Sequence, residues 1–406
     1  MTVLIVNHYA LTPEQSGGTR HYDIARELVL RGHDVTIVAA GRHYATYEDE
    51  KRYPDGEDFL IETVEGIRFV WVKTAPYRGN GIGRVRNMLE FTWKLRRLPK
   101  LGLPAPDVVV GSSVHLFAVY GAYRLAKRYR VPFVMEVRDI WPQTLIDMGI
   151  SKRHPFVLLL GRLEPFLYRK ADRIVTLLPK AAEHIESFGI APQKIRWVSN
   201  GVDLSPYAHP GESHRLDPSK FNVLYAGSMG QANGLEVLIE AARRLSGISE
   251  IHVTLVGSGP HDAALRKQAS PIPNVTFLSP VKKEQVPALL AEADVLYVGL
   301  RDLPLYRFGM SMNKVFDYMA AGKPVVFAAN VPENPVEKAK SGLIVAPDDP
   351  DAIANALQTL YNYTPQERSA MGERAKRYVR THFGMDVIAS AFETVLKEAE
   401  YEHKKN

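Results

Sequence analysis

The sequence has no cysteine among its 406 residues. Disulfide bonds, thiol catalysis and cysteine-bound zinc are therefore excluded. Apolar runs such as 156–160 are far shorter than the roughly 20 residues that a membrane-spanning helix needs. The apolar start, Thr2 to Val6, has no basic leader and soon meets Pro13, which indicates a first strand and not a signal peptide. We therefore expect a cytoplasmic protein, at most peripheral on the inner face of the plasma membrane.

The composition has no strong bias. Hydrophobic residues make up 46% and charged residues 24% of the chain, both ordinary for a globular protein, so extensive disorder is excluded. The formal net charge is +6. A chain of 406 residues exceeds the size at which a single hydrophobic core keeps growing, which predicts two domains.

Apolar strand runs alternate with amphipathic helices in both halves of the chain. Val108 to Val110 and Phe133 to Met135, for example, flank a predicted helix from Leu116 to Tyr129. This alternation predicts α/β domains with doubly wound parallel sheets covered on both faces. The stretch 200–221 is crowded with glycine and proline and has little periodicity, which predicts a linker.

We expect domains at 1–199 and 222–380, each Rossmann-like, that face each other across a cleft. Ligands of such sheets bind outside the carboxyl ends of the strands.

The segment 308–326 is the most informative part of the sequence. It places Lys314 and Asp317 three residues apart in the first turns of a predicted helix, after a glycine-bearing loop and before a strand. A helix N-terminus attracts anions, and a nearby lysine and a carboxylate that reaches a ribose complete the parts needed to hold a nucleoside diphosphate. The segment therefore predicts an enzyme that handles a nucleotide-activated sugar.

Two glycine loops follow predicted strands. Gly17 and Gly18 precede the first helix, and Gly257 begins a Gly-Ser-Gly-Pro turn. Glycines there allow backbone N–H groups to approach a phosphate or sugar oxygen, although a plain flexible loop explains them too. Because neither loop has the third glycine of the dinucleotide fingerprint, a nicotinamide or flavin enzyme is disfavoured.

Polar residues also stand at the ends of two neighbouring strands. His115 follows one strand and opens a helix, while Arg138 and Asp139 follow the next. This is where α/β proteins place functional groups, although a lone histidine is more often structural. The acidic stretch 348–351 suggests a metal motif, but aspartate before proline at a helix start is better explained as a cap, so no metal is assigned.

The segment 84–100 is basic and rich in large apolar residues. Helical spacing would gather Leu89, Trp93 and Arg96 on one side. Such a helix suits an anionic membrane surface, and an ordinary helix with a solvated basic side is an equal alternative. No recognition-helix motif or aromatic-basic sheet appears, so we do not expect nucleic acid as a partner.

Taken in order, these residues resemble the pattern of glycosyltransferase family 4, retaining nucleotide-sugar transferases of the two-domain GT-B fold. The similarity covers nearly the whole chain and includes the sequence Val-Ser-Asn-Gly-Val-Asp at 198–203. The phrases at 138–142 and 308–318 resemble the subgroup that includes bacterial L-fucosamine transferases of surface-polysaccharide assembly. The resemblance implies that the last helix, 381–406, packs back on the first domain.

The resemblance also implies roles for the matching positions. Asp317 would bind the ribose hydroxyls, and His115 would contact the donor sugar near the reacting centre. Arg138 and Asp139 join His115 as candidate catalytic residues. The remaining candidate donor-binding residues are Gly17, Gly18, Gly227, Ser228, Asn233, Gly257, Arg307, Asn313 and Lys314.

Three departures from the family pattern stand out. Ser228 and Asn233 occupy places where an arginine and a lysine commonly bind the diphosphate. The paired-glutamate motif is incomplete, because Asp317 replaces the second acid and the first has no counterpart near Gly309. Arg138 stands where a histidine often precedes the aspartate. Our hypothesis is that Lys314, with Arg301 or Arg307, supplies the missing positive charge.

Together with the residues, the resemblance implies a retaining, metal-independent glycosyltransferase of cell-envelope polysaccharide biosynthesis. The donor would be a UDP-sugar carrying an N-acetylated amino sugar or a deoxysugar, although no residue excludes GDP. The acceptor would be a saccharide or an undecaprenyl-linked saccharide, and no cofactor is expected. Two alternatives remain open: a nucleotide-sugar epimerase of the same fold, and a degenerate protein that binds a nucleotide sugar without catalysis.

Overall fold

The computed structural model describes residues 1–15, 17–44 and 46–405. The chain divides into two compact units. The first unit contains Met1–Asn200 and Met385–Asn406, and the second contains Gly201–Gly384. Both are α/β units built on largely parallel sheets, so this part of the prediction is confirmed.

The first unit alternates strands and helices along the chain. Its strands are β1 (Thr2–Val6), β2 (Asp34–Ala40), β3 (Phe59–Val64), β4 (Ile67–Val72), β5 (Val108–Ser112), β6 (Phe133–Val137), β7 (Arg173–Thr176) and β8 (Ile195–Trp197). Its helices are α1 (Arg20–Leu30), α2 (Ile82–Leu95), α3 (Leu116–Tyr129), α4 (Gln143–Asp147), α5 (Pro155–Lys170), α6 (Ala181–Glu186) and α15 (Met385–His403).

The sheet of the first unit has the order β3-β4-β2-β1-β5-β6-β7-β8, with β3 antiparallel to β4. The central strands are apolar and buried on both faces, as parallel strands covered by helices must be. The chain moves from β1 outward to β2 on one side and later returns to β5 on the other. The topological switch point therefore lies between β1 and β5.

Helix α15 completes the first unit. Its apolar stripe, with Ile388, Phe392 and Leu396 at helical spacing, is buried, and the helix packs on α1 and β7. Arg173 of β7 forms ion pairs with Glu398 at 3.0 Å and with Glu402. The last helix thus belongs to the first unit, as the predicted fold class requires.

The second unit repeats the α/β pattern. Its strands are β9 (Phe221–Ala226), β10 (Ile251–Val256), β11 (Val275–Leu278), β12 (Val295–Gly299), β13 (Val325–Ala328) and β14 (Gly342–Val345). Its helices are α7 (Ser205–Ala208), α8 (Leu235–Arg244), α9 (Asp262–Ala269), α10 (Val286–Glu292), α11 (Asn313–Ala321), α12 (Pro335–Lys338), α13 (Pro350–Asn362) and α14 (Pro365–Phe383).

The sheet of the second unit is parallel, with the order β11-β10-β9-β12-β13-β14. Numbered along the unit, this is the 3-2-1-4-5-6 order of Rossmann folds. The switch point lies between β9 and β12, and the connections after these two strands carry the predicted donor residues of this unit except Gly257, which follows β10.

The predicted linker, 200–221, differs from what the structure shows. The unit boundary falls between 200 and 201, and residues 201–221 pack within the second unit. The Glu292 carboxylate accepts hydrogen bonds from four consecutive backbone N–H groups, those of residues 213–216. Glycine and proline make the backbone irregular here, but the segment remains packed within the second unit.

The predicted start of the last helix also differs. Helix α14 continues to Phe383, so residues 381–384 belong to the second unit and not to the last helix.

In the part of the chain that the structure describes, no helix combines the length and the apolar character needed to cross a bilayer.

We expect Glu292→Gln to lower the free energy of unfolding by about 2 kcal/mol, because the amide keeps only one acceptor oxygen for the four N–H groups. These hydrogen bonds hold the pKa of the Glu292 carboxyl below its usual value against the opposing effect of burial, so their contribution to stability is lost as the pH falls. Urea unfolding measures the change. The exposed Glu284→Gln is the matched control, and equal stability of the two variants would contradict the prediction.

Candidate functional site

Two glycine loops meet at the carboxyl ends of β9 and β10. The Gly227 N–H donates to the Val256 carbonyl at 2.9 Å, and the Met229 N–H donates to the Ser258 carbonyl at 2.8 Å. Gly257 has a φ of +146°, and a Cβ atom there would lie 1.9 Å from the Gly227 carbonyl oxygen. Only glycine fits at 257, and the close approach presents both loops at one edge of the sheet.

Helix α11 brings Lys314 to the same edge. Its Nζ donates hydrogen bonds to the Tyr225 hydroxyl at 2.8 Å and to Asn233 Oδ1 at 3.3 Å. It also lies 4.3 Å from the centroid of the Tyr225 ring. A Cβ atom at Gly227 would lie 2.9 Å from this Nζ. The structure therefore brings together Gly227, Asn233, Gly257 and Lys314.

The environment of Lys314 is electrostatically unusual. Burial lowers the pKa of its ammonium group from the usual value near 10.5 to about 7. Within the described residues, it forms no ion pair with a carboxylate, and its side-chain partners are a hydroxyl and an amide. A buried ammonium with neutral partners is costly, so the site attracts an anion.

Arg301 does not share this property. Its guanidinium forms ion pairs with Glu236 and, at 2.8 Å, with Asp348. Two carboxylates therefore balance the charge of Arg301 in this structure, and its contact with a diphosphate stays a prediction. Arg307 is exposed, donates to the Pro304 carbonyl at 2.5 Å and lies over the Phe308 ring.

Ser228 and Asn233 shape the loop after β9. The Ser228 carbonyl accepts hydrogen bonds from the Tyr225 hydroxyl at 2.6 Å and from Asn233 Nδ2 at 3.0 Å. Asn233 thus contacts the loop through one side of its amide and Lys314 through the other. These two residues position the loop and the lysine, while the Ser228 side chain is exposed.

Asp317 lies one turn after Lys314 in α11. Its Oδ1 accepts a hydrogen bond at 2.8 Å from the hydroxyl of Tyr207, which stands in the segment predicted as a linker. Burial and the nearby charge of Asp317 raise the pKa of Tyr207, so the phenol keeps its proton and remains a donor. Asn313, the first residue of α11, is exposed.

In the first unit, His115 is buried and caps α3. Its Nδ1 accepts from the Ala118 N–H at 3.1 Å, and its Nε2 lies 2.9 Å from Nδ1 of His8. Burial lowers the pKa of both rings, that of His8 to about 3, so both are neutral at physiological pH. His115 is only 1% exposed. The structure shows a capping role, and the contact with a donor sugar stays a prediction.

Arg138 and Asp139 follow β6. The Arg138 N–H donates to Ser113 Oγ at 2.9 Å. Surrounding protein desolvates the Asp139 carboxyl and raises its pKa, and the charge of Arg138 opposes this shift, although part of Asp139 remains exposed.

Gly17 has a φ of +143°, and a Cβ there would lie 2.6 Å from Leu11 Cδ1, so glycine is required. Gly18 is exposed, and Ser16 before them lies outside the described residues.

A buried charged network beside these residues was not predicted. Glu136, in β6, is fully buried and contacts Arg20 at 3.0 Å, His21 at 2.7 Å and Ser112 at 2.6 Å. Burial alone would raise the pKa of Glu136, but Arg20 and His21 hold it well below its usual value. The sequence contains no motif for this network or for the contacts of Tyr225 and Tyr207 with α11. The residues that meet in each case are far apart in the chain.

Two family models match consecutive parts of the chain. Residues 17–201 match a model described as a glycosyl transferase 4-like domain, and residues 220–363 match one described as glycosyl transferases group 1. The solved structure of Anabaena HepE in complex with UDP-glucose has the same fold, with a TM-score of 0.67, 18% identity, and coverage of 97% of this chain and 99% of that one. By these two models the chain is a glycosyltransferase, and its two Rossmann-like units have the GT-B fold.

The glycosyltransferase also has curated relatives. WcaI of Escherichia coli K12, named as a colanic acid biosynthesis glycosyl transferase, is 23% identical over 70% of this chain and 73% of its own. The D-rhamnosyltransferase WbpZ of Pseudomonas aeruginosa PAO1 is 29% identical over 56% of this chain and 60% of its own. The match thus spans about three-fifths to three-quarters of these relatives.

We expect Gly257→Ala to destabilise the enzyme by about 2 kcal/mol or more, because the new methyl group would collide with the Gly227 carbonyl in a backbone conformation unsuited to alanine. Gly247→Ala is the control, since a Cβ there meets nothing within 4 Å. Chemical denaturation of both variants measures the difference, and similar stabilities would show that the two loops do not approach as described.

Proposed function

We propose that this glycosyltransferase transfers a sugar from a UDP-sugar to a saccharide or a lipid-linked saccharide, with retention of anomeric configuration and without a metal ion. The observation that carries the proposal is the buried Lys314 ammonium at the switch point of the second unit. Its side chain contacts neutral groups and stands beside two glycine loops.

A diphosphate suits this place. The ammonium has three protons, of which two are directed at Tyr225 and Asn233, so one remains for a phosphate oxygen. Lys314 is the second residue of α11, so it lies at the N-terminus of this helix, where the helix dipole favours negative charge. Lys314 thereby replaces the arginine and lysine that Ser228 and Asn233 do not supply. Asp317, oriented by Tyr207, is our candidate for the ribose hydroxyls.

Two comparisons support the substrate classes. HepE, a structural neighbour, binds UDP-glucose. The names of WcaI and WbpZ refer to colanic acid biosynthesis and to rhamnosyl transfer. We therefore propose a role in cell-surface polysaccharide assembly, with a deoxysugar or an N-acetylated amino sugar as the transferred group. The acceptor we propose is a saccharide, free or linked to undecaprenol.

In the proposed reaction, the bond from the anomeric carbon to the phosphate oxygen breaks and a bond from that carbon to the acceptor hydroxyl oxygen forms on the same face. The hydroxyl proton passes to the departing diphosphate. Lys314 and the α11 N-terminus stabilise the negative charge that develops on the leaving group, so the protein acts by positioning and electrostatics. Arg138 and Asp139 are our candidate catalytic residues near the acceptor. His115 is our candidate for contact with the donor sugar.

We expect UDP to bind about tenfold more tightly at about pH 6.5 than at about pH 8.5. Lys314 is charged below its pKa of about 7 and neutral above it, and a bound diphosphate favours the charged form, so affinity falls as the pH rises. Isothermal titration calorimetry measures the ratio. Lys314→Met should bind UDP weakly at both pH values, and an unchanged pH profile in this variant would refute the role of Lys314.

We expect Lys314→Ala to lower turnover at least about tenfold, because the leaving diphosphate loses a buried positive charge. A thermal-shift screen of UDP- and GDP-sugars first identifies the donor, since a bound donor stabilises the enzyme by mass action. Single-turnover assays then compare Lys314→Ala with Arg380→Ala, which removes an exposed cation outside the site. Near-normal turnover of Lys314→Ala, or stabilisation by no nucleotide sugar, would contradict the proposed function.

A further inference from the structure

An exposed stripe runs along α2 of the first unit. Ile82 is 89% exposed, Leu89 48% and Trp93 52%, and Arg86 and Arg96 stand between and after them at helical spacing. The Arg96 guanidinium lies 3.7 Å from the centroid of the Trp93 ring. Large apolar side chains and cations thus alternate on one side of the helix.

Two further helices extend this surface. Helix α2 packs on α3, and α3 packs on α5, where the Phe166 ring lies 5.7 Å from the Tyr123 ring. Half-exposed Leu158 and Leu159 add apolar surface on α5. We call the whole surface the basic helical face; its exposed residues are Ile82, Arg86, Leu89, Trp93 and Arg96 of α2 and its end, Arg124, Lys127 and Arg128 of α3, and Leu158, Leu159 and Arg162 of α5.

The cations of the basic helical face are not neutralised within the protein. Among the described residues, none of them forms an ion pair with a carboxylate; Arg124, for example, contacts the Tyr120 hydroxyl at 3.3 Å. Neighbouring Lys94 and Arg97 provide the contrast, because both pair with Asp58. The structure therefore separates structural cations, which have acidic partners, from a second group that faces solvent.

We propose that the basic helical face docks the enzyme on an anionic lipid bilayer. Lipid headgroups would neutralise the arginines and lysines, while Trp93, Leu89 and Leu158 would enter the boundary between headgroups and acyl chains. A nucleic acid would satisfy the cations and leave these apolar side chains in water. The proposal is independent of the donor site, since it needs no nucleotide.

Co-sedimentation of the full chain with vesicles tests the proposal. The enzyme should bind phosphatidylglycerol vesicles and bind phosphatidylcholine vesicles far more weakly, and added salt should release it. Each cation removed weakens binding by about fivefold, so the triple variant Arg124→Gln, Lys127→Gln and Arg162→Gln should lose well over tenfold in affinity. All three side chains are exposed, so folding should be unaffected.

The matched control removes three exposed cations of the second unit, through Lys267→Gln, Arg377→Gln and Arg380→Gln. It should bind the anionic vesicles as the unchanged protein does. Equal losses in the two triple variants would show that net charge acts and not this face, and would overturn the proposal. Absence of vesicle binding, or concentration-dependent self-association that Trp93→Glu abolishes, would overturn it too.

Tryptophan fluorescence gives an independent readout. Anionic vesicles should shift the emission of the unchanged protein to shorter wavelength, because the half-exposed Trp93 leaves water. Trp93→Phe keeps the apolar character and should bind while losing the shift. A shift of the same size in Trp93→Phe would place the bilayer contact elsewhere and refute the proposed face.

Discussion

The Lys314 ammonium group contacts neutral side chains, and these side chains connect it to β9 and to the loop after β9. Tyr225 is the penultimate residue of β9, close to the glycine loop, and both its hydroxyl and its ring face contact the lysine. Asn233 connects the lysine to the Ser228 carbonyl. Because a desolvated cation is costly without a counter-charge, this arrangement is poised for an anionic ligand and not for maximum stability of the unliganded protein.

The first unit also contains a desolvated charge, that of Glu136, but here the charge has partners of opposite sign. Glu136 is fully buried, whereas Lys314 is partly exposed; Arg20 and His21 contact the Glu136 carboxylate, so the charge of Glu136 is balanced inside the unit. Arg20 also donates to the carbonyls of Val198, at 2.9 Å, and Ser199, so the network fixes the chain where the first unit ends. The charge of Glu136 is thus balanced within its unit, whereas the Lys314 ammonium forms no ion pair with a carboxylate among the described residues.

Periodicity and apolar runs predicted the fold well, and the reason is local. Helix α3 has the predicted bounds, since His115 caps its start and Arg130 adopts a left-handed conformation after its end. Lys314 and Asp317 lie one turn apart in α11, as predicted, because a helix fixes their separation; their roles in donor binding stay predictions. Tyr225, Tyr207 and the neutralised Arg301 could not be predicted, because their partners are far away in sequence. The segment 201–221 was wrongly predicted as a linker. Its glycine and proline content indicates irregular backbone but not the hydrogen bonds to Glu292 that anchor it.

The chain leaves the first unit at residue 200 and returns to it at residue 385. On a ribosome, the strands of that unit would emerge early and wait for α15, the last helix, to cover β7 and α1. The second unit, which is continuous in sequence, is synthesised during that interval. Newly made chains would therefore carry a temporarily uncovered apolar surface, a natural target for chaperones, until synthesis reaches the final helix.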